Sequence, residues 1–471
     1  MSSAFATALS DAMPSSTTGR RWLFVPSDQL SDRVGPLSRE PAPALGIVLL
    51  ETAWKARQRP YHQQKLAFVL ANQRHFAVEQ ARRGVAVTYV VSDEAPADAL
   101  RPVAERLGPL RVMRPAEREL REALRPAIDE GWLDEVPHEG WLTTPEDFEQ
   151  GAGEAPPWRM DRFYRRVRRR TGILMDDAGR PEGGRLSFDT ENRRPWRGEP
   201  EAPALPRFRP DAITKEVGAL VSSRYGDHPG ALDLTRIAAT RRAARRTWRW
   251  ALEHCLPEFG PYEDAMARAE PSVFHTRISA LLNVLRLTPQ EVLEDALAAD
   301  VPLASKVGFV RQVLGWREFV RHVHERTDGF RRHVGSETPG APSFLEAHEP
   351  LPAAYWGTPS GLACLDTVVE DVWRDAYSHH ITRLMVLSNL GTLLGVEPRE
   401  LTNWFWVAYD DAYDWVVEPN VLGMGTFAAG DVMTTKPYVS GAPYLHRMSD
   451  YCSSCAFDPK STCPITPMYW A

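Results

Sequence analysis

Four of the five cysteines are spaced as a set of metal ligands would be. Cys452 and Cys455 form a CxxC pair, Cys463 follows after seven residues with a proline behind it, and Cys364 lies 88 residues upstream. Four soft thiolates suit either structural zinc or an iron–sulfur cluster. The absence of a histidine at ligand spacing favours iron–sulfur but leaves zinc open. Cys255 sits in an apolar helical context and is predicted to be a buried hydrophobic residue.

Two segments carry arginine at a density that predicts contact with phosphate groups. Residues 158–170 hold seven arginines, and residues 241–249 add five at helical spacing. Aromatic residues interleave with both segments, which is typical of nucleic-acid binding, although a solvated helix face would have the same composition. The predicted DNA contacts are Arg165, Arg166, Arg168 and Arg169.

These residues must be positioned by two different kinds of structure. The first third of the chain alternates short β-rich runs (22–25, 45–50, 85–91 and 111–113) with helical stretches such as 64–83. This rhythm predicts a parallel doubly wound sheet. From about residue 236 onward the apolar spacing is helical, as in 281–285, 289–297, 307–323, 367–394 and 398–407. The fold class is therefore an α/β doubly wound domain followed by a large all-α domain.

Composition sets the domain boundaries and the broad class. Residues 1–18 are predicted to be a disordered leader, 19–150 the α/β domain, 151–235 an interdomain linker rich in Pro, Gly and Arg, and 236–471 the helical domain. A chain with 43% hydrophobic and 25% charged residues is typical of a soluble protein, and no apolar run reaches membrane-spanning length. Few cysteines and no secretory signal predict a reducing cytoplasm. The net charge of −6 by itself argues against nucleic-acid binding, so the local arginine segments matter more.

Six segments together resemble one family. They are GWREFVR (315–321), YSHHITRLM (377–385), YDDAYDW (409–415), PNVLGMG (419–425), KPYVSGA (436–442) and the cysteine run. Their order and spacing, including the 88-residue cysteine gap, resemble the iron–sulfur bacterial cryptochromes and photolyases, whose characterised members repair the (6-4) pyrimidine–pyrimidone photoproduct. The resemblance runs from about Trp22 to the last residue. Family members usually continue for some tens of residues past the last cysteine, so it also implies that a terminal helical piece is missing after Ala471.

The resemblance implies a folded FAD inside the helical domain, which would then also carry a four-iron cluster on the four cysteines. An arginine and a carboxylate beside a flavin can hold its reduced anion and its hydroxyls by charge-assisted bonds. Each residue could instead be a satisfied polar group of a helical core. The implied FAD-binding residues are His275, Thr276, Arg277, Ser279, Gln312, Trp316, Glu318, Arg383, Asn389, Asp410 and Asp411.

Further residues acquire roles through the same resemblance. His379 and His380 resemble a pair whose second member faces the lesion, where a proton must be moved at neutral pH. Tyr438 resembles a second lesion-side contact. Trp404 and Trp356 match positions that relay electrons to the flavin. Two departures affect this picture, because Phe405 stands where the family often has tyrosine and Val417 stands where we expect a glutamate, which here follows as Glu418.

An antenna pigment is implied in the α/β domain. Asp28 and Gln29 follow the first predicted strand and Glu51 follows the second, where ligands of such sheets bind. Without the resemblance, these three residues would be interpreted as polar loop and cap residues. The resemblance implies that they bind 6,7-dimethyl-8-ribityllumazine.

Three functions are open at this stage. The sequence favours a monomeric, light-driven DNA lyase that acts on UV-damaged DNA, most simply on (6-4) photoproducts, with an electron from excited reduced FAD. The alternative is a blue-light photoreceptor of the cryptochrome type with little repair activity. A third possibility, from another class, is a zinc- or iron–sulfur-stabilised nucleic-acid-binding protein without flavin.

Overall fold

The computed structural model describes residues 3–332 and 343–471. This part of the chain forms two compact units. The first consists of Met1–Trp141, Pro206–Trp248 and Ile278–Glu291, and the second of Leu142–Leu205, Arg249–Arg277 and Val292–Ala471. The predicted linker, residues 151–235, contributes residues to both units.

A five-stranded parallel sheet organises the first unit. Its strands are β1 (Arg21–Phe24), β2 (Leu45–Thr52), β3 (Ala86–Ser92), β4 (Leu110–Met113) and β5 (Leu133–Val136), in the order β3-β2-β1-β4-β5. All neighbouring strands are parallel. Parallel neighbours need crossover connections, so this order confirms the predicted doubly wound sheet. The sequence did not reveal β5, because two of its four residues, Asp134 and Glu135, are exposed acids on an edge strand.

The described residues also form twenty-two α-helices. The first eleven are α1 (Ala4–Ala12), α2 (Pro36–Arg39), α3 (Trp54–Gln58), α4 (Gln63–Arg82), α5 (Pro96–Leu107), α6 (Arg118–Asp129), α7 (Pro145–Ala152), α8 (Met160–Thr171), α9 (Ala212–Arg224), α10 (Arg241–Trp250) and α11 (Leu256–Phe259). The others are α12 (Ser279–Asn283), α13 (Pro289–Ala298), α14 (Leu303–Val310), α15 (Glu318–Thr327), α16 (Ala363–Asp375), α17 (His380–Thr382), α18 (Asn389–Leu393), α19 (Pro398–Ala408), α20 (Asp414–Glu418), α21 (Ala442–Met448) and α22 (Ile465–Trp470). None of these helices combines the length and apolar character needed to cross a bilayer.

Alternation along the strands fixes the core of the first unit. Successive side chains of a strand point to opposite faces of the sheet, so Trp22 and Phe24 share one face with Val48. That face packs against α5 and α6 through residues such as Leu100 and Leu124, which are fully buried. The sheet is thereby anchored, and the loops after its strands are free to carry polar residues.

The N-terminal segment, predicted as a disordered leader, contains helix α1. The hydroxyl of Ser3 caps the helix by accepting from the amide of Ala6. The same hydroxyl donates to Glu216, and Phe5 is buried against Tyr89. Composition suggested disorder, whereas these long-range contacts with the first unit order residues 4–12.

Helices of the second unit are interrupted by wider, π-helical turns. They lie at Ala251–Cys255, Arg311–Arg317, Arg383–Ser388 and Pro419–Gly425. The helical pattern predicted over 367–394 also breaks at Ala376, which adopts a left-handed conformation with φ of 51°. π-Turns are frequent at functional sites, and two of these contain residues that the sequence assigns to the flavin, namely Gln312, Trp316 and Arg383.

Candidate functional site

Three histidines form one cluster in the second unit. The break at Ala376 releases the chain from α16, so His379 precedes α17 and His380 begins it. The rings of His275 and His379 stack with centroids 4.3 Å apart, and His380 meets His275 edge-on at 5.2 Å. The ring nitrogens of His379 and Nε2 of His275 are buried and have no hydrogen-bond partner within the described residues. Such orphaned polar atoms indicate a place where a ligand supplies the missing partner.

His380 differs from its two neighbours because solvent reaches it. The residue is exposed, whereas His275 and His379 are buried. Burial, and next the charge of Arg383, lower the pKa of His380 to about 4. Its imidazole is therefore neutral at pH 7 in the free protein and can accept a proton or donate one N–H bond.

A bidentate ion pair lies beside these histidines. Arg383 donates from both terminal nitrogens to Asp411, at 2.9 Å each, and its guanidinium lies 4.1 Å from the ring centroid of Tyr409. Burial opposes the charge, but Asp411 and Tyr409 outweigh it and raise the pKa of Arg383. Arg383 is thus a permanent, oriented cation. Asp410 is half-buried, and its amide donates to the carbonyl of Ala376.

The backbone is unusual between residues 273 and 277, a stretch that holds three of the predicted FAD-binding residues, His275, Thr276 and Arg277. Arg277 has φ of 55° and Val273 has φ of 42°, a left-handed region that branched or bulky residues rarely adopt. The guanidinium of Arg277 stacks 3.8 Å from the ring centroid of Tyr377 and donates to Ser272. Backbone conformations of this cost persist where the surroundings over-determine them, often at ligand sites. Thr276 is buried in the same turn, whereas Ser279 belongs to the first unit, where it begins α12.

The side chains of two predicted flavin-binding residues form hydrogen bonds with other parts of the protein. Glu318 is fully buried, and its carboxylate accepts from the amides of Leu142 and Thr143 and from the hydroxyl of Thr143. Asn389 exchanges two hydrogen bonds with the backbone of Ser440, at 3.0 and 2.9 Å. Both side chains therefore have a structural role within the protein. Glu318 fixes the 142–143 loop, and Asn389 anchors the segment around Ser440.

Three indoles form a row from the interior to the surface. Trp404 is 1% exposed and lies 5.9 Å, edge to face, from Trp373. Trp373 in turn stacks on Trp356 at 5.5 Å, and Trp356 is 49% exposed. The indole N–H groups of Trp404 and Trp373 both donate to the carbonyl of Tyr355, which fixes their orientation. Sequence reasoning missed Trp373, because nothing local distinguishes it from a core residue of α16.

The four predicted metal ligands converge. Cys364 is in the first turn of α16, and burial followed by the charges of the other three cysteines raises its pKa to about 12. Such mutual influence requires the thiols to be neighbours. Among the described residues, however, no three cysteine sulfurs lie within 4.8 Å of one another. Cys255 is buried elsewhere, and burial alone raises its pKa.

In the first unit, the predicted antenna residues Gln29 and Glu51 form hydrogen bonds within the protein. Glu51 lies within β2 rather than after it, and both of its oxygens accept from Arg74. Tyr89 donates to the same carboxylate at 2.6 Å. The amide of Gln29 donates to the carbonyl of Met113 at 2.9 Å. These bonds link β2 to β3 and to α4, and the loop after β1 to β4. Asp28 is also buried.

Helix α8 divides the predicted DNA-binding arginines. Arg165, Arg166 and Arg169 are exposed on one face of α8. Arg168 is fully buried and donates to the carbonyls of Ile173, Leu174 and Leu186. The prediction is therefore wrong for Arg168, since the helical period turns it inward to hold the loop that follows.

The remaining predicted contact, Tyr438, lies in a segment without regular structure, and 38% of its surface is exposed. Its phenol is available to a ligand at the surface of the second unit. Phe405, the departure noted above, stacks on Tyr409 at 5.5 Å and on the edge of Trp404 at 5.2 Å. Phe405 thus contacts the aromatic cluster around Arg383.

Known proteins resemble the chain in sequence and in fold. A family model described as deoxyribodipyrimidine photo-lyase-related protein matches residues 23–236. A (6-4) photolyase of Agrobacterium fabrum is 33% identical over 471 residues, covering 95% of this chain and 90% of that protein. A bacterial class III photolyase structure from Agrobacterium tumefaciens has a TM-score of 0.57 at 16% identity, covering 90% of this chain and 82% of that one. A Synechocystis sp. PCC6803 cryptochrome structure has a TM-score of 0.57 at 15% identity, covering 86% and 82%.

Proposed function

The chain belongs to the photolyase/cryptochrome superfamily, and from this we propose that it is a light-driven enzyme that repairs (6-4) photoproducts in UV-damaged DNA. The observation that carries the proposal is the 33% identity to a (6-4) photolyase, which extends over 95% of the chain. Membership argues against the flavin-free alternative. The photoreceptor alternative is not favoured, because the likeness to a cryptochrome at 15% identity concerns the fold alone.

The cofactor that the family implies is FAD, and the residues around the histidine cluster fit it. The orphaned nitrogens of His275 and His379 could bond to its polar edges, and Arg277 could neutralise a phosphate. Arg383, held by Asp411, could pair with a developing negative charge. When bound and reduced, FAD would supply the light-driven electron for opening the photoproduct. The protein supplies binding, orientation and electrostatics.

His380 is the residue we propose to move the proton. It is the member of the cluster that solvent, and hence a flipped-out base, can reach. Its neighbour His379 is buried and stacked, which makes it a support for the cluster rather than a reacting group. Tyr438 would contact the lesion from the side. A neutral His380 must first gain a proton to act as an acid, so we expect repair to depend on pH.

We propose that electrons reach the buried site through the row of Trp356, Trp373 and Trp404. The ring centroids of neighbours in this row are 5.5 and 5.9 Å apart, and the row runs from an exposed to a buried indole. The shared hydrogen-bond acceptor on Tyr355 holds the two inner rings at fixed angles. Trp373 thereby joins two positions that the sequence identified separately.

We propose a four-iron cluster on Cys364, Cys452, Cys455 and Cys463. The four thiols are close enough for the other three cysteines to raise the pKa of Cys364, and four thiolates, each bound to a different iron, suit such a cluster. None of the five cysteines, all of which lie within the described residues, forms a disulfide, which fits a reducing cytoplasm.

The remaining proposals concern DNA and the antenna. Arg165, Arg166 and Arg169 on the exposed face of α8 would contact phosphates of the duplex, and we propose that the protein binds as a monomer. The lumazine antenna gains no support from Gln29 and Glu51, whose side chains are bonded within the first unit. We therefore derive no role from that pigment.

The test is a spectrum followed by a repair assay. Purified protein should absorb as a flavoprotein, and illuminated, reduced protein should restore intact thymines in an oligonucleotide with one (6-4) lesion. A matched oligonucleotide with a cyclobutane dimer tests specificity, and a dark sample tests the need for light. A flavoprotein that responds to light but repairs neither lesion would transfer the function to the photoreceptor alternative.

A further inference from the structure

A buried carboxylate next to the histidine cluster has no role in the function described so far. Glu263 accepts a hydrogen bond from Nε2 of Gln312 at 2.6 Å through one oxygen, and from Nδ2 of Asn192 at 3.0 Å through the other. Its own backbone contacts the ring of His275. Glu263 thus links Gln312, in the π-turn after α14, to the histidines.

The carboxylate determines which way each amide points. An ionised carboxylate only accepts hydrogen bonds, so each amide must turn its NH₂ group toward it. For Asn192 this leaves the carbonyl oxygen buried without a partner. The hydrogen bond from Nδ2 to Glu263 therefore sets the orientation of the Asn192 amide. The same logic turns the carbonyl oxygen of Gln312 away from Glu263.

Close packing leaves little room for another arrangement. A Cβ atom at Gly308 would lie 3.1 Å from Nδ2 of Asn192 and 3.2 Å from Oε2 of Glu263. The lack of a side chain at Gly308 therefore leaves room for Asn192 and Glu263 to lie against it. Gln312 is only half-buried, so the side of its amide that faces away from Glu263 can meet a ligand.

We propose that Glu263 is a positioning residue that holds the amide of Gln312 with its carbonyl oxygen presented to the predicted pocket, as the acceptor for an N–H group of a bound heterocycle. This inference deepens the proposed function and rests on it. The heterocycle has an imide or amine donor, which either the flavin cofactor or the damaged base could supply. Both sources share this chemistry, and separate binding measurements distinguish them.

The decisive variant is Glu263→Met, because methionine fills a similar volume but offers Gln312 no oxygen. The amide of Gln312 can then turn and present its NH₂ group to the ligand's N–H, so that two donors oppose each other. Glu263→Gln is the conservative variant. Its NH₂ group can face Asn192, whose unpartnered oxygen turns inward to accept from it, and its own oxygen remains for Gln312.

The test measures binding in the dark with the purified holoprotein at pH 8.5. Burial, and next the charges of Asp264 and Asp189, raise the pKa of Glu263 to about 7 despite the hydrogen bond from Asn192, so the wild-type group is ionised at that pH. One arm measures release of FAD, and the other the Kd for an oligonucleotide with a (6-4) lesion relative to undamaged DNA. Glu263→Met should weaken one of these by about tenfold to a hundredfold. Glu263→Gln should keep most of the wild-type affinity.

The control is Glu253→Met, the same change at an exposed glutamate of the same unit, which should alter neither constant. If Glu263→Met leaves both constants unchanged, or if Glu263→Gln weakens binding as much as Glu263→Met does, the inference is overturned. Repair is not needed for either readout. A wild-type protein that binds the lesion but does not repair it would overturn the proposed function and leave this inference intact. If Glu263→Met does not fold, Glu263→Gln must still match the wild-type constants, and a loss of about tenfold or more in that variant overturns the inference.

Discussion

Replacement of His380 by alanine separates proton transfer from every other property of the protein. Losing a positioned acid–base group slows a reaction by about 10² to 10⁴-fold. The exposure of His380 makes this loss specific, because the buried His275 and His379 cannot take its place. We therefore expect repair by chemically reduced protein to slow at least a hundredfold, while lesion affinity changes far less.

The pH dependence gives the second part of this prediction. With a pKa of about 4, His380 carries its proton in about one molecule in a thousand at pH 7. If the protonated ring is the working form, the repair rate rises by up to about tenfold for each unit that the pH falls, as long as the pH exceeds the pKa. The rate of wild-type protein should therefore rise from pH 8 to pH 6, and the alanine variant should lack that slope.

The assay is single-turnover repair of a (6-4) oligonucleotide after a light flash, measured over this pH range. His348→Ala serves as the matched control, since His348 is exposed and lies outside the histidine cluster. Photoreduction of the flavin should be the same in all three proteins. An alanine variant that repairs at the wild-type rate, or keeps the wild-type pH slope, would refute the assignment of proton transfer to His380.

Three further outcomes are expected. Trp373→Phe should slow photoreduction of bound oxidised flavin but leave repair by pre-reduced protein intact, measured by absorbance; equal photoreduction would remove Trp373 from the relay. Cys452→Ser should abolish soluble expression, whereas Cys255→Ala should keep about four irons per chain by metal analysis; stoichiometric zinc would contradict the cluster. Replacing Arg165 and Arg169 by glutamine should flatten the salt dependence of DNA binding by about two units of slope; an unchanged slope would place the DNA surface elsewhere.

Local sequence determined the secondary structure of this chain well. The four β-rich runs became β1 to β4 within two residues at each end, because a buried parallel strand has a continuous apolar signature. Helix α4 was predicted within one residue at each end. The parallel doubly wound sheet followed from the alternation of these elements, since parallel strands require helical crossovers.

The fates of individual side chains required the tertiary structure. Glu51 and Glu318 looked like ligand contacts, but long-range partners, Arg74 and Thr143, bind their carboxylates. Arg168 belonged to an arginine-rich run, but the period of α8 buried it. A sequence shows which residues are charged and how far apart they stand along the chain, whereas the partner of a charge is chosen by packing.

The candidate site divides along the same line. Sequence spacing predicted the cysteine set, and the family resemblance pointed to the histidine pair, because both are short motifs of rare, chemically distinctive residues. Only the tertiary structure joined Trp373 to two other indoles and Glu263 to Gln312. These contacts link residues that are 17 to 49 positions apart, and no local pattern records them, because they arise when separate helices pack against one another.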